Sequence, residues 1–165
     1  MTIFALAILA AAALPAALTW KAHTMPEDRT RSTRTFSVVK TDTEWQASLT
    51  PKQYAVLRKH DTEYPGTSPL LEEHREGIFV CAGCGEPLFT SETKYESGSG
   101  WPSFYAAIEG AVGTHEDRSL GMPRVEIHCG RCGGHLGHVF TDGPRPTGRR
   151  YCTNGAALRF EPGTR

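Results

Sequence analysis

Hydrophobic and polar positions follow three different rhythms along the chain. From Ile3 to Leu18 nearly every residue is Ala, Leu, Ile or Phe, interrupted by Pro15. A run of that length suits the apolar region of a signal peptide or a short membrane anchor, since a spanning helix needs about 20 residues. No Lys or Arg precedes the run, no Ala-x-Ala cleavage site follows it, and Met25 is an alternative start of translation. Residues 1–24 are therefore expected to be a leader or anchor of an exported or membrane-attached protein. The alternatives are a cytoplasmic protein that starts at Met25 and a buried apolar helix. Residues 25–35 are polar and charged without apolar periodicity, which predicts a linker, and the folded domain is expected to occupy 36–162.

Beyond the linker the rhythm is first helical and then alternating. Phe36-Ser37-Val38-Val39-Lys40 reads as a short strand. Thr41 and Glu44 have the spacing of a capping box and open a short helix. Leu49 to Arg58 is the clearest helix, with Thr50 as N-cap, Pro51 at the first helical position, and Tyr54 and Leu57 at helical spacing. After Glu72, Pro and Gly recur every several residues and the apolar runs between them are short: Gly77 to Val80, Pro87 to Phe89, Arg124 to His128, and a closing run from Ala156 to Phe160. Short alternating runs between turn residues predict antiparallel strands. The expected fold is mainly β, antiparallel sheets with short N-terminal helices.

Composition narrows the function. At 165 residues the chain is one modest domain, and 18 basic against 18 acidic residues leave no net charge. Neutrality gives no general attraction to nucleic acid or to an anionic membrane. It weighs against a nucleic-acid-binding zinc ribbon.

The cysteines change the picture most. There are five, in two Cys-x-x-Cys pairs, Cys81/Cys84 and Cys129/Cys132, with Cys152 left over. A Cys-x-x-Cys turn can aim both sulfurs at one ion, and two such turns complete the four-thiolate shell of a structural Zn site. Glycines follow both pairs and supply the positive φ such turns need. One structural zinc held by Cys81, Cys84, Cys129 and Cys132, joining two hairpins, is the expectation. A disulfide framework and a pair of redox Cys-x-x-Cys sites are the competing readings. With four thiols held by metal, thiol chemistry falls to Cys152, which follows Arg149, Arg150 and Tyr151. A neighbouring guanidinium favours the nucleophilic thiolate; alternatively Cys152 is a small buried hydrophobe.

Two further segments carry more chemistry than a scaffold needs. In Ser97-Gly98-Ser99-Gly100-Trp101-Pro102-Ser103-Phe104 a glycine-rich loop presents a tryptophan, either as an exposed ring or as a core residue. In His135-Leu136-Gly137-His138 the histidines face opposite sides of a regular strand, but a bulge at Gly137 would bring both imidazoles to one side. They are surplus to a filled zinc shell and suited to proton transfer near neutral pH, or else are ordinary surface residues.

Together these segments resemble the methionine sulfoxide reductase B family over about Phe36 to Pro162. The resemblance rests on the two cysteine turns, Ser-Gly-x-Gly-Trp-Pro-Ser-Phe at 97–104, Cys-Gly-Gly-His-Leu-Gly-His-Val-Phe at 132–140 and Arg-Tyr-Cys-x-Asn at 150–154. It implies reduction of the R epimer of methionine sulfoxide, free or within oxidised proteins, on a mainly β fold with a structural zinc. It also implies a monomer that needs thioredoxin or another thiol reductant. On that resemblance Cys152 attacks the sulfur, Trp101 holds the methyl group, His135 and His138 serve the oxygen, Asn154 completes the polar side, and Arg150 and Asp142 support them. Many members carry a resolving cysteine where this chain has Ser99, so an external thiol is expected to reduce the sulfenic acid. The alternatives are a binding module in which Cys152 is a core residue, and a thiol-disulfide oxidoreductase that uses a Cys-x-x-Cys pair directly.

Overall fold

The computed structural model describes residues 35–119 and 121–163. The expected leader and nearly all of the expected linker lie outside the described residues. Among the described residues no helix is long and apolar enough to cross a membrane.

Two capped helices lead into nine short strands. Helices α1 (Asp42–Ser48) and α2 (Pro51–Lys59) each open on a reciprocal capping box, Thr41 with Glu44 and Thr50 with Gln53, in which each partner satisfies the other's free backbone N–H. Pro51 stands at the start of α2, where a missing N–H costs nothing. The strand expected over 36–40 does not form. Val38 N–H bonds to the Arg131 carbonyl at 3.1 Å, but no strand pairs along the segment and Val39 is 81% exposed. Apolar residues without a partner edge cannot make a ladder.

The strands are β1 (Gly77–Cys81), β2 (Pro87–Thr90), β3 (Lys94–Tyr95), β4 (Ser103–Phe104), β5 (Val112–Asp117), β6 (Arg124–Cys129), β7 (His135–Phe140), β8 (Arg150–Thr153) and β9 (Leu158–Pro162). They form a small sheet in the order β2-β1-β9 and a large one in the order β3-β4-β8-β7-β6-β5, with every pairing antiparallel. The closing strand starts at Leu158 rather than Ala156, because Gly155–Ala157 close a 3-10 turn. The Gly155 and Ala156 amides bond to the Glu63 carboxylate there, so they are not free for a ladder.

Aromatic side chains join the sheets. Phe89 of β2 stacks on Phe104 of β4 with centroids 4.3 Å apart, and Phe79 of β1 meets Phe104 edge-on at 4.9 Å. All three are fully buried, as are Ile127 and Leu136 of the large sheet. Each such side chain contributes about 1.5–3 kcal/mol through removal from water. Trp45 and Leu57, one from each helix, pack over the glycines of the two cysteine turns, Gly83 and Gly134. Along β8 burial alternates, with Tyr151 and Thr153 inward. That places Arg150 and Cys152 on the opposite face.

Candidate active site and metal centre

The two Cys-x-x-Cys segments are the turns of the β1-β2 and β6-β7 hairpins, one from each sheet. They are built alike. Cys81 N–H donates to the Glu86 carbonyl and Gly85 N–H to the Cys81 carbonyl, both at 2.8 Å; Cys129 N–H donates to Gly134 and Gly133 N–H to Cys129, both at 2.9 Å. Each turn aims its two sulfurs at the other turn. Cys81 Sγ lies 3.8 Å from Cys132 Sγ and Cys84 Sγ 3.5 Å from Cys129 Sγ, with all four sulfurs within 4.8 Å of one another.

A disulfide needs its sulfurs about 2.05 Å apart, whereas four thiolates placed tetrahedrally about 2.3 Å from one zinc stand about 3.8 Å apart. The residues fit a metal ion and not a disulfide framework. Their electrostatics agree. Neighbouring sulfurs and burial push the Cys81 and Cys129 thiols up while Cys84 and Cys132, bonded by those neighbours, are pulled down. Only a cation at the centre lets all four ionise together.

Cys152 lies mid-strand in β8, opposite Ser103 of β4 on one side and His138 of β7 on the other. It opens into a cavity of about 200 Å³ whose walls include Trp101, Arg124, His138, Phe140 and Asn154. The Ser99 hydroxyl is 3.8 Å from the Cys152 sulfur. Arg150, on the Cys152 face of the strand, makes a two-pronged bond to Asp142 at 2.9 and 2.8 Å and stacks 4.4 Å over Phe140. The guanidinium holds the Asp142 carboxyl below the ordinary carboxylate range. Arg149 points elsewhere and donates to the Tyr151 hydroxyl at 3.3 Å.

The expected bulge is present. Ile127 opposes Gly137 and His128 opposes His135, so β7 carries one residue more than β6 at this point. The extra residue resets the side-chain alternation, and the His135 and His138 rings come to 5.7 Å. Glycine is required at 137: φ is 152° and a Cβ there would stand 2.1 Å from the Cys152 carbonyl oxygen.

The two histidines have separate carboxylate partners. His135 Nδ1 is 2.6 Å from Glu126 Oε1, and His138 Nε2 is 2.8 Å from Asp117 Oδ2. An ionised carboxylate only accepts, so these nitrogens carry the protons and leave His135 Nε2 and His138 Nδ1 as the lone-pair sites of the neutral rings. His138 lines the cavity; His135 is 2% exposed and stands one ring behind it. His135 Nε2 is buried without a hydrogen-bond partner among the described residues. Burial lowers the His138 pKa, and the bond to Asp117 offsets this only in part. Asp117 itself is held well below the ordinary carboxylate range by Ser119, His138 and Arg124.

Glu63 organises the opposite wall. Its carboxylate is buried and accepts from the Gly155 and Ala156 amides, with Lys52 Nζ 3.1 Å away. Its carbonyl accepts from Trp101 Nε1 at 3.0 Å, and its N–H donates to Asn154 Oδ1 at 3.0 Å. Trp101 is half-buried, one edge fixed and a face left to the cavity. Asn154 also donates to the Leu136 carbonyl at 3.2 Å, so its amide ties the Glu63 loop to β7.

Of the residues expected from the sequence, Trp101, His138, Cys152 and Asn154 meet at one cavity, and His135 stands beside them. Arg124, Asp117, Glu126 and Glu63 carry no local signal of their part in the site. Glu63 and Asn154 are 91 positions apart, and no local pattern links them.

The SelR domain family matches residues 49–162. The peptide methionine sulfoxide reductase MsrB of Leptospira interrogans is 55% identical over 76% of this chain and 97% of its own length. The proteins of the same name from Agrobacterium fabrum and Bradyrhizobium diazoefficiens are 53% and 51% identical, over 76% and 84% of this chain and 93% and 99% of their own. Aligned over nearly their whole length, with the cysteine turns, the histidine bulge and Cys152 within the matched span, these relatives settle the kinship: the chain belongs to the SelR-domain, MsrB-type methionine sulfoxide reductase family.

Proposed function

We propose that this protein reduces the R epimer of methionine sulfoxide in oxidised proteins, with Cys152 as nucleophile. One observation carries the reading: a single cavity holds the Cys152 sulfur, the Trp101 ring and the His138 imidazole together. Methionine sulfoxide has an apolar methyl group, an electrophilic sulfur and a basic oxygen. Trp101 packs on the methyl. The Cys152 thiolate attacks the sulfoxide sulfur, and the imidazolium form of His138, protonated on Nδ1 as well as on the Nε2 that Asp117 holds, gives its proton to the oxygen, with His135 behind it. With the S–S bond made, the doubly protonated oxygen leaves as water and a Cys152–methionine sulfonium remains. A water then attacks the Cys152 sulfur, the S–S bond breaks, methionine leaves with that electron pair, and Cys152 is left as sulfenic acid with one proton released. Arg124 lines the same cavity, held by its pairing with Asp117 at 2.6 Å, and is a further donor to the oxygen.

The sulfenic acid returns to thiol at the expense of two external thiols, which leave as a disulfide with one water. Thioredoxin or a small dithiol would fill this role, because position 99 offers a hydroxyl and the remaining four thiols belong to the metal centre. Zinc is the metal that best suits four thiolates at these separations. Its place between hairpins of different sheets makes its task structural: it holds the sheets in register and leaves no coordination position open for substrate.

One turnover without added reductant, followed by mass spectrometry, tests the redox half. Cys152 should gain one oxygen. An intramolecular disulfide to Cys152 would rule the scheme out.

A further inference from the structure

Outside the cysteine centre, three imidazoles converge on one buried carboxylate. Glu126 is 4% exposed. Its Oε1 lies 2.6 Å from His135 Nδ1 and 3.1 Å from His60 Nδ1, and its Oε2 lies 2.8 Å from His115 Nε2. The donor atoms of His60, Glu126 and His135 all fall within 4.8 Å of one another. His135 and Glu126 form a buried floor; the side chains of His60 and His115 are more than half exposed at 58% and 53% and leave the floor open to solvent.

His60 is unusual in its backbone too. It ends α2 at φ 58°, the one non-glycine residue with positive φ among the described residues. Glycine or asparagine relieves that conformation at helix ends, and a strained residue retained there is grounds to look for a role in its side chain. That side chain sits on Glu126, its ring 5.1 Å from the His135 ring.

We propose that His60, Glu126 and His135 form a second divalent metal site, distinct from the four cysteines. Two imidazoles and one carboxylate are the donor set of open zinc sites, which keep a fourth position for water, and imidazole nitrogen suits zinc, copper and nickel. About 2.0–2.1 Å from a tetrahedral ion the donors stand roughly 3.3 Å apart, so the carboxylate, at 2.6 and 3.1 Å, needs to open from each ring by less than about 1 Å, while the two ring nitrogens already lie within 4.8 Å of one another. His115, on the other carboxylate oxygen, orients Glu126 as outer partners orient metal-bound carboxylates. A metal here displaces the His135 proton and pins the ring behind His138. On the reading of the active site given above, its arrival therefore switches the reductase off.

Zinc titration of the Cys152→Ser protein, with its four-cysteine centre already filled, tests the site without activity and without a competing thiolate. Calorimetry should find one further equivalent of zinc. His60→Ala should abolish that equivalent at micromolar zinc, and His115→Ala should weaken it about 10–100-fold while keeping the stoichiometry. No added equivalent, or unchanged uptake by His60→Ala, would overturn the site. In the Cys152 enzyme, zinc at that concentration should stop turnover of the parent and spare His60→Ala; equal inhibition of both would overturn the switch while leaving a measured site in place.

Discussion

The Ser99 hydroxyl lies 3.8 Å from the Cys152 sulfur, bridging the glycine-rich loop and strand β8. The loop is tied down on both sides: Ser99 Oγ bonds Ser97 Oγ at 2.8 Å, and Ser97 bonds Ser103, which pairs directly with Cys152 in the sheet. A thiol at position 99 would stand within reach of the sulfenic acid.

Ser99→Cys is therefore expected to convert the catalytic cycle. After one turnover without reductant the variant should carry a disulfide between the introduced thiol and Cys152, seen as a loss of two hydrogens by mass spectrometry. The parent should carry one added oxygen instead. A variant that stops at the sulfenic acid would show that the loop is not close enough in solution.

Trp101 is fixed by the Glu63 carbonyl and offers its ring to the cavity. Trp101→Ala should lower kcat/KM by about 10–100-fold, the equivalent of roughly 1.4–2.8 kcal/mol of lost packing. Steady-state kinetics on a sulfoxide-containing peptide measures it. A change below twofold would remove Trp101 from the substrate wall.

Glu63 is buried at 6% exposure and receives two backbone amides. Glu63→Ala leaves both amides without their acceptor, each worth about 1–3 kcal/mol. A loss on the order of 3 kcal/mol, read as a lower denaturant midpoint with the metal centre filled, should accompany impaired kcat/KM, because the carboxylate anchors the segment whose backbone carbonyl and N–H position Trp101 and Asn154.

The His138 pKa is lowered by burial and partly restored by Asp117. Above pH 6.5 the ring is neutral in the folded and unfolded chain alike. Between 6.5 and the lowered value only the unfolded chain takes up the proton, so the stability this ring contributes is lost as pH falls through that window. Asp117→Asn removes a raising influence and should lower the pKa further, as followed by NMR titration of the imidazole. A rise in the variant would contradict the assignment.

Cys84→Ser should release the metal and uncouple the two sheets. Metal analysis and thermal unfolding should show less than one equivalent and a midpoint lower by on the order of 10 °C or more.

Much of this was legible in the chain because its signals are local. A capping box, a proline after an N-cap and a Cys-x-x-Cys-Gly turn each specify their own geometry within a few residues. The bulge at Gly137 was legible for the same reason, since glycine between two histidines marks where alternation can be reset. Longer-range features were not. Glu63 reads as one acid in a polar stretch, and its role appears only when strand order brings Asn154 and the Gly155–Ala157 turn to it. Glu126 looks like a solvent-facing position in an alternating strand, yet β5 and β7 on either side supply the imidazoles that bury it. The strand expected over 36–40 failed for the converse reason: its apolar residues had the pattern but no strand edge to meet.

The proposed reaction is tested most directly by a stereospecific assay of the two methionine sulfoxide epimers with thioredoxin, run on the parent protein and on Cys152→Ser. The parent should consume the R epimer and leave the S epimer, while the variant keeps its metal and its fold and consumes neither. Equal consumption of both epimers, or turnover by the variant, would overturn the assignment of Cys152 as the nucleophile of an R-specific reductase.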